Sequence, residues 1–229
     1  ALSENYVSTA GVALEFASSV ATANHQMVVS NNYLKGTVES VKLMACSRLT
    51  YNYLDGTTTL PVSGDSVTKE ISHNFFANGA ANLAGGVAMG FVISDNEFED
   101  TVVLEGGNYV EFSRNVVHFE LQGATVANLL VAEGNAFLNF TYLSLSTEAN
   151  GGSSIVRNNI FMGSGNFELS SSVQAVLSGN RFLSSGSVSI GTGFDDTVAD
   201  VVDNYFAGPV VIDTVGGYTR VDRNTFRNS

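Results

Sequence analysis

Tryptophan is missing from this 229-residue chain, proline occurs twice, histidine three times and cysteine once. The lone Cys46 excludes an internal disulfide, and its apolar setting in "KLMACSRL" predicts a small buried residue rather than a nucleophile. Charge is scarce too: Asp, Glu, Lys and Arg make up 14% of residues, well below the usual quarter. What charge there is leans one way, 10 basic residues against 22 acidic, for a formal net charge of −12. Such a field repels nucleic acid and anionic membrane surfaces, so neither is expected as a partner. No apolar run approaches the roughly 18 residues that a membrane-spanning helix needs, so insertion is not expected either. Phosphate loops, HExxH zinc sites and CxxC pairs are missing.

What is present is a repeat. The stretch "ISDNEF" from Ile93 returns as "ISHNFF" from Ile71, "VRNNIF" from Val156, "LSGNRF" from Leu177 and "VVDNYF" from Val201. An apolar residue, two small or polar residues, an asparagine, a free position and a second apolar residue recur along the whole chain. The asparagines are Asn5, Asn32, Asn52, Asn74, Asn96, Asn115, Asn159, Asn180, Asn204 and Asn224, with a looser copy at Asn135. Their spacing runs from 19 to 27 residues and averages about 22. Between them lie short period-2 alternations such as "TVVLEGG", "YVEFS", "YLSLS" and "NFELSS", bounded by Gly, Ser and Asn. No window of a dozen residues carries a 3.6-residue period, which excludes leucine-rich and helical repeats. The unit is therefore about three short strands joined by turns. Ile93 and Phe98 point inward on either side of a sharp corner. One of Asp95 and Asn96 takes the left-handed conformation that asparagine tolerates. The asparagines bond along the axis, the phenylalanines stack, and the turn glycines of "GGN" (106–108) and "TVGGY" (214–218) fit the same account.

This frame resembles the right-handed parallel β-helix of the pectate-lyase-like superfamily, whose coils of about 22 residues carry an asparagine at a tight turn. The resemblance implies an all-β solenoid of about ten to eleven coils, one domain over 1–229, and a secreted or surface-exposed protein. At about 4.8 Å per coil the rod is roughly 50 Å long. Family enzymes bind acidic polysaccharide across the first sheet, with calcium held by carboxylates and an Arg or Lys as base. Here the outward positions of that sheet read Glu15, Glu39, Glu105, Glu120, Ser144, Glu168, Ser189 and Asp213, with Phe119 and Leu121 inward beside Glu120. Candidate ligand-binding residues are Glu105, Glu120 and Glu168, joined by Asp195 and Asp196 in the loop "GFDDTVAD". Calcium is the candidate cofactor, bridging Glu105 and Glu120 from successive coils. A solvated acidic face is the plainer reading of the same line.

No catalytic residue is assigned. Arg114, Arg157 and Arg223 stand at the corner, away from the acidic face, and the histidines (25, 73 and 118) are scattered; His73 fills a turn position held elsewhere by Asp95 and Gly179. The expectation is a structural or binding module that contacts glycan or a partner protein through one sheet face and the long loops 55–70 and 146–154. The alternative is a calcium-dependent polysaccharide lyase, which needs a base beside clustered carboxylates. Finally, "LSENYV" and "VDRNTFRNS" enter and leave in repeat phase with no capping helix. A segment of a longer solenoid, or ends covered by partner subunits, is expected.

Overall fold

Each recurrence of the frame becomes one corner of a parallel β-solenoid. The computed structural model describes residues 1–16, 27–36, 39–43, 46–60, 68–85, 90–126, 128–147, 151–192, 198–214 and 217–227. The strands that end just before the corner, from Leu2–Ser3 through Gly90–Ser94 to Tyr218–Asp222, form one 11-stranded parallel sheet. The strands after the corner and those that follow them form two further ladders. These merge into a single 19-stranded sheet because Ala136–Thr147 and Ile160–Ser171 run unbroken through both.

The asparagines hold the corner together. Asn96 illustrates the pattern: its Nδ2 donates to Ser94 O (2.9 Å), to Ile71 O of the preceding coil (2.8 Å) and to Oδ1 of Asn115 in the next (3.0 Å). Its backbone N–H donates to that same Oδ1 at 3.0 Å. The step from one Oδ1 to the next runs from Asn5 to Asn224, through Asn135, the looser copy. Most of these amides are buried, so each satisfies groups that would otherwise be orphaned away from water.

The structure settles one detail of the corner. The left-handed residue is always the one before the asparagine, and it need not be a residue that favours that conformation. Asn31, Asp95, Asn158 and Asp203 favour it and Gly134 and Gly179 adopt it freely, yet Glu4, Tyr51, His73, Arg114 and Arg223 hold it too, with φ between 51° and 60°. The conformation costs most side chains about 1–2 kcal/mol. It is held by ladder bonds on both sides, as where His73 N–H donates to Ser94 O at 3.2 Å.

Inside, the second apolar residue of each frame builds an axial stack. Phe137, Phe161, Phe182 and Phe206 follow one another at 5.0, 4.4 and 5.1 Å between ring centroids. Where the frame supplies Val117, Phe112 swings in from the preceding sheet and bridges Phe98 and Phe137 at 6.1 and 6.2 Å. A small residue on one strand is thus matched by a large one on the next, keeping the core filled. Glycines mark the tightest approach of coil on coil. A Cβ built on Gly165, Gly186 or Gly208 would lie 2.3, 2.0 or 2.6 Å from a backbone oxygen of the coil before it.

Candidate functional site

The left-handed residue and the residue after the asparagine both point outward, so the corner carries two parallel rows of side chains with the asparagine ladder between them. In the N-terminal coils the row after the asparagine is aromatic throughout, and the row before it is aromatic at Tyr51 and His73. After the asparagine come Tyr6, Tyr33, Tyr53 and Phe75, stacked at 4.7, 4.8 and 5.2 Å with planes within 17°. Before it, Tyr51 stacks on His73 at 4.6 Å. An open groove of about 660 Å³ lies between the rows. Its floor is Asn52, Asn74 and Asn96; one wall is Tyr51, His73, Asp95 and Arg114, the other Tyr53, Phe75, Glu97 and Val116.

The charged residues of the groove are tied to neighbouring coils. Arg114 donates to Asp95 in fork geometry, Nε to Oδ1 and Nη2 to Oδ2, both at 2.7 Å. His118 Nε2 meets Glu97 Oε1 at 2.8 Å. The same habit recurs elsewhere on the rod: Lys35 with Asp55, Arg48 with Glu70, Arg157 with Glu133 and Arg223 with Asp203 each join successive coils. The Arg114 bond holds the Asp95 carboxyl below the usual carboxylate range, and Lys35 and Arg223 do the same for Asp55 and Asp203.

A pH dependence follows. Each of these carboxyls has a folded pKa below its unfolded value, so its contribution is present above the ordinary carboxylate pKa of about 4 and is lost as pH falls through the folded one. The melting temperature should hold steady from pH 7 to about 5 and drop below 4. Arg114→Met should lower the plateau and make the acid drop shallower. An unchanged acid limb in that variant would show that the Asp95 pair contributes nothing to it.

The acidic line of the sequence does not form one row. Val102 pairs with Leu121, so Glu120 stands beside Thr101, four residues back along the strand from Glu105. That is on the order of 13 Å at 3.3 Å per residue. Glu105 instead continues into Thr125, Ser146, Ser170, Gly191 and Asp213, while Glu168 sits one row over between Ser144 and Ser189. The cause is local: a register shift between Val103 and Glu105, and a strand that starts only at Leu121. Phe119, expected inside, is 50% exposed in the turn before that strand. Glu120 accepts from Gln122 Nε2 at 2.7 Å and Thr141 Oγ1 at 3.2 Å, and Glu168 accepts from the Tyr142 hydroxyl. The register therefore separates the two carboxylates proposed to bridge calcium. Among the described residues no three His, Cys, Asp or Glu side chains gather as a metal site would require. Asp195, Asp196 and His25 lie outside the described residues, as do the side chains of Glu39 and Cys46.

The aromatic rows are what reading the sequence missed, although the signal was there: "ENYV", "NNYL", "YNYL" and "HNFF" put an aromatic residue at the free position in four consecutive frames. The chain matches no protein-family model, no curated protein and no solved structure.

Proposed function

We propose that this chain is a binding rod that holds an extended glycan along its asparagine corner. The observation that carries the reading is the groove: an open trough with aromatic side chains on both walls and hydroxyl, imidazole and carboxylate groups within reach. Concave sites of mainly apolar lining with a few convergent polar groups are where ligands bind. An axial repeat near 4.8 Å offers a linear polymer evenly spaced contacts, first on Tyr51 and Tyr53 and then on His73 and Phe75. Tyrosines suit this role because each presents an apolar ring and a polar tip. A secreted or surface-displayed protein fits such a task.

The lyase alternative has less support. Arg48, Arg114, Arg157 and Arg223 are each engaged by a carboxylate of the neighbouring coil, and among the described residues no cluster of three carboxylates gathers beside Arg181 or any other base. The test is retention on immobilised oligosaccharides, neutral and charged, for the native chain and the double variant Tyr51→Ala/His73→Ala. Binding should fall at least tenfold in the variant while its melting temperature stays near the native one; about 1.4 kcal/mol of lost contact suffices. Retention on no oligosaccharide, or equal retention of both proteins, would overturn the proposal.

A further inference from the structure

Both aromatic stacks that wall the groove stop at the same coil, and both stop on an acid. His73 covers Tyr51 with one ring face, and the next side chain in its row is Asp95. Phe75 covers Tyr53 with one face, and its register partner in the following coil is Glu97. Each stack thus leaves one ring face turned toward a carboxylate. The face of an aromatic ring carries the negative lobe of its quadrupole and attracts a cation within about 6 Å of the centroid.

The two acids are unequally free. Asp95 has both oxygens held by Arg114. Glu97 gives Oε1 to His118, and its Oε2 has no donor among the described residues. A half-buried ring face with no further ring beyond it, beside a carboxylate oxygen with no donor among the described residues, is a place for an ammonium group. An anionic sugar would instead meet Glu97 and Asp95, with only an Arg114 already committed to Asp95, on a chain of net charge −12.

We infer that the groove selects a glycan bearing free amines, a glucosamine-type polymer, over uronate polymers. The amine lies at the solvent side of the Phe75 face and donates to Glu97 Oε2, while the rest of the polymer runs along Tyr51 and Tyr53. This rests on the glycan reading above and narrows it by charge.

Calorimetry on the 229-residue chain would compare four hexamers: glucosamine, N-acetylglucosamine, galacturonate and lysine. The glucosamine hexamer should bind about fivefold or more tightly than its N-acetylated form, as an exposed cation–π contact and a charge-assisted hydrogen bond to Glu97 together provide, and the galacturonate hexamer weakest. In Glu97→Gln the preference for the amine should shrink to about twofold, what the ring contact alone provides. Equal affinity for the amine and its acetamide, or tighter binding of galacturonate, overturns the amine inference and leaves the groove reading standing. No affinity for any sugar hexamer overturns both. Lysine hexamer binding as tightly as glucosamine shows attraction to charge alone and overturns the sugar assignment.

Discussion

Replacing Asn96 by alanine should destabilise the rod by about 3–5 kcal/mol. Asn96 is 2% exposed, and its amide serves several partners at once. Truncation strips the carbonyls of Ile71 and Ser94 of a donor, and it strips the backbone N–H and Nδ2 of Asn74 of their shared acceptor. A buried polar group left unmatched costs about 1–3 kcal/mol, and neighbours can relax around only some of these. The controls are the adjoining outward residues. Glu97→Ala and Arg181→Ala should stay within about 0.5 kcal/mol, since neither side chain enters the ladder. Urea unfolding of the three variants measures this directly. Comparable losses at all three positions would mean that the ladder is not what holds the corner.

Gly186→Ala should be at least as damaging, for a different reason. The added Cβ would lie 2.0 Å from Gly165 O and 2.5 Å from Gly165 C, atoms of backbone that cannot swing aside as a side-chain tip would. Coils 165, 186 and 208 approach one another in series, so a shift forced at one is passed to both neighbours. A loss of about 3 kcal/mol or more is expected, at or beyond the upper end for overpacking. Gly191 is the matched control. It sits in the next strand of the same coil, has no atom within 4 Å of an added Cβ, and its change to alanine should be neutral or slightly stabilising. A well-folded Gly186→Ala protein with a native melting temperature would show that the coils stand further apart than described.

The corner was legible because its chemistry needs one residue type. Only asparagine donates and accepts from the same short side chain in the pattern described, so it recurs at every turn and gives the period and the parallel solenoid. The left-handed position was only half legible: Asn, Asp or Gly fills six of its eleven places, but ladder bonds on either side make the conformation tolerable for Tyr51, His73 and Arg114 as well. The outward rows failed for a related reason. A side chain facing solvent is free to vary, so Tyr53, Glu97 and Ile160 at equivalent places look like noise until register aligns them. The acidic line was misjudged where loops of unequal length and a bulge at Val103/Glu105 changed the register, a displacement that alternation within one strand cannot reveal.

The ladder also gives the rod an electrical direction. Backbone hydrogen bonds between coils run both ways: His73 N–H donates forward to Ser94 O, and Glu97 N–H donates back to Asn74 O. Their dipoles largely cancel, as in any sheet. The asparagine carboxamides do not alternate, since each Oδ1 faces the coil of lower number and accepts from it. Their moments add along the axis, negative toward the amino-terminal side and positive toward the carboxy-terminal side, the reverse of the sense in an α-helix. A charge placed on the axis therefore feels a different potential at one end of the corner than at the other, and the rod distinguishes its two directions before any outward residue is taken into account.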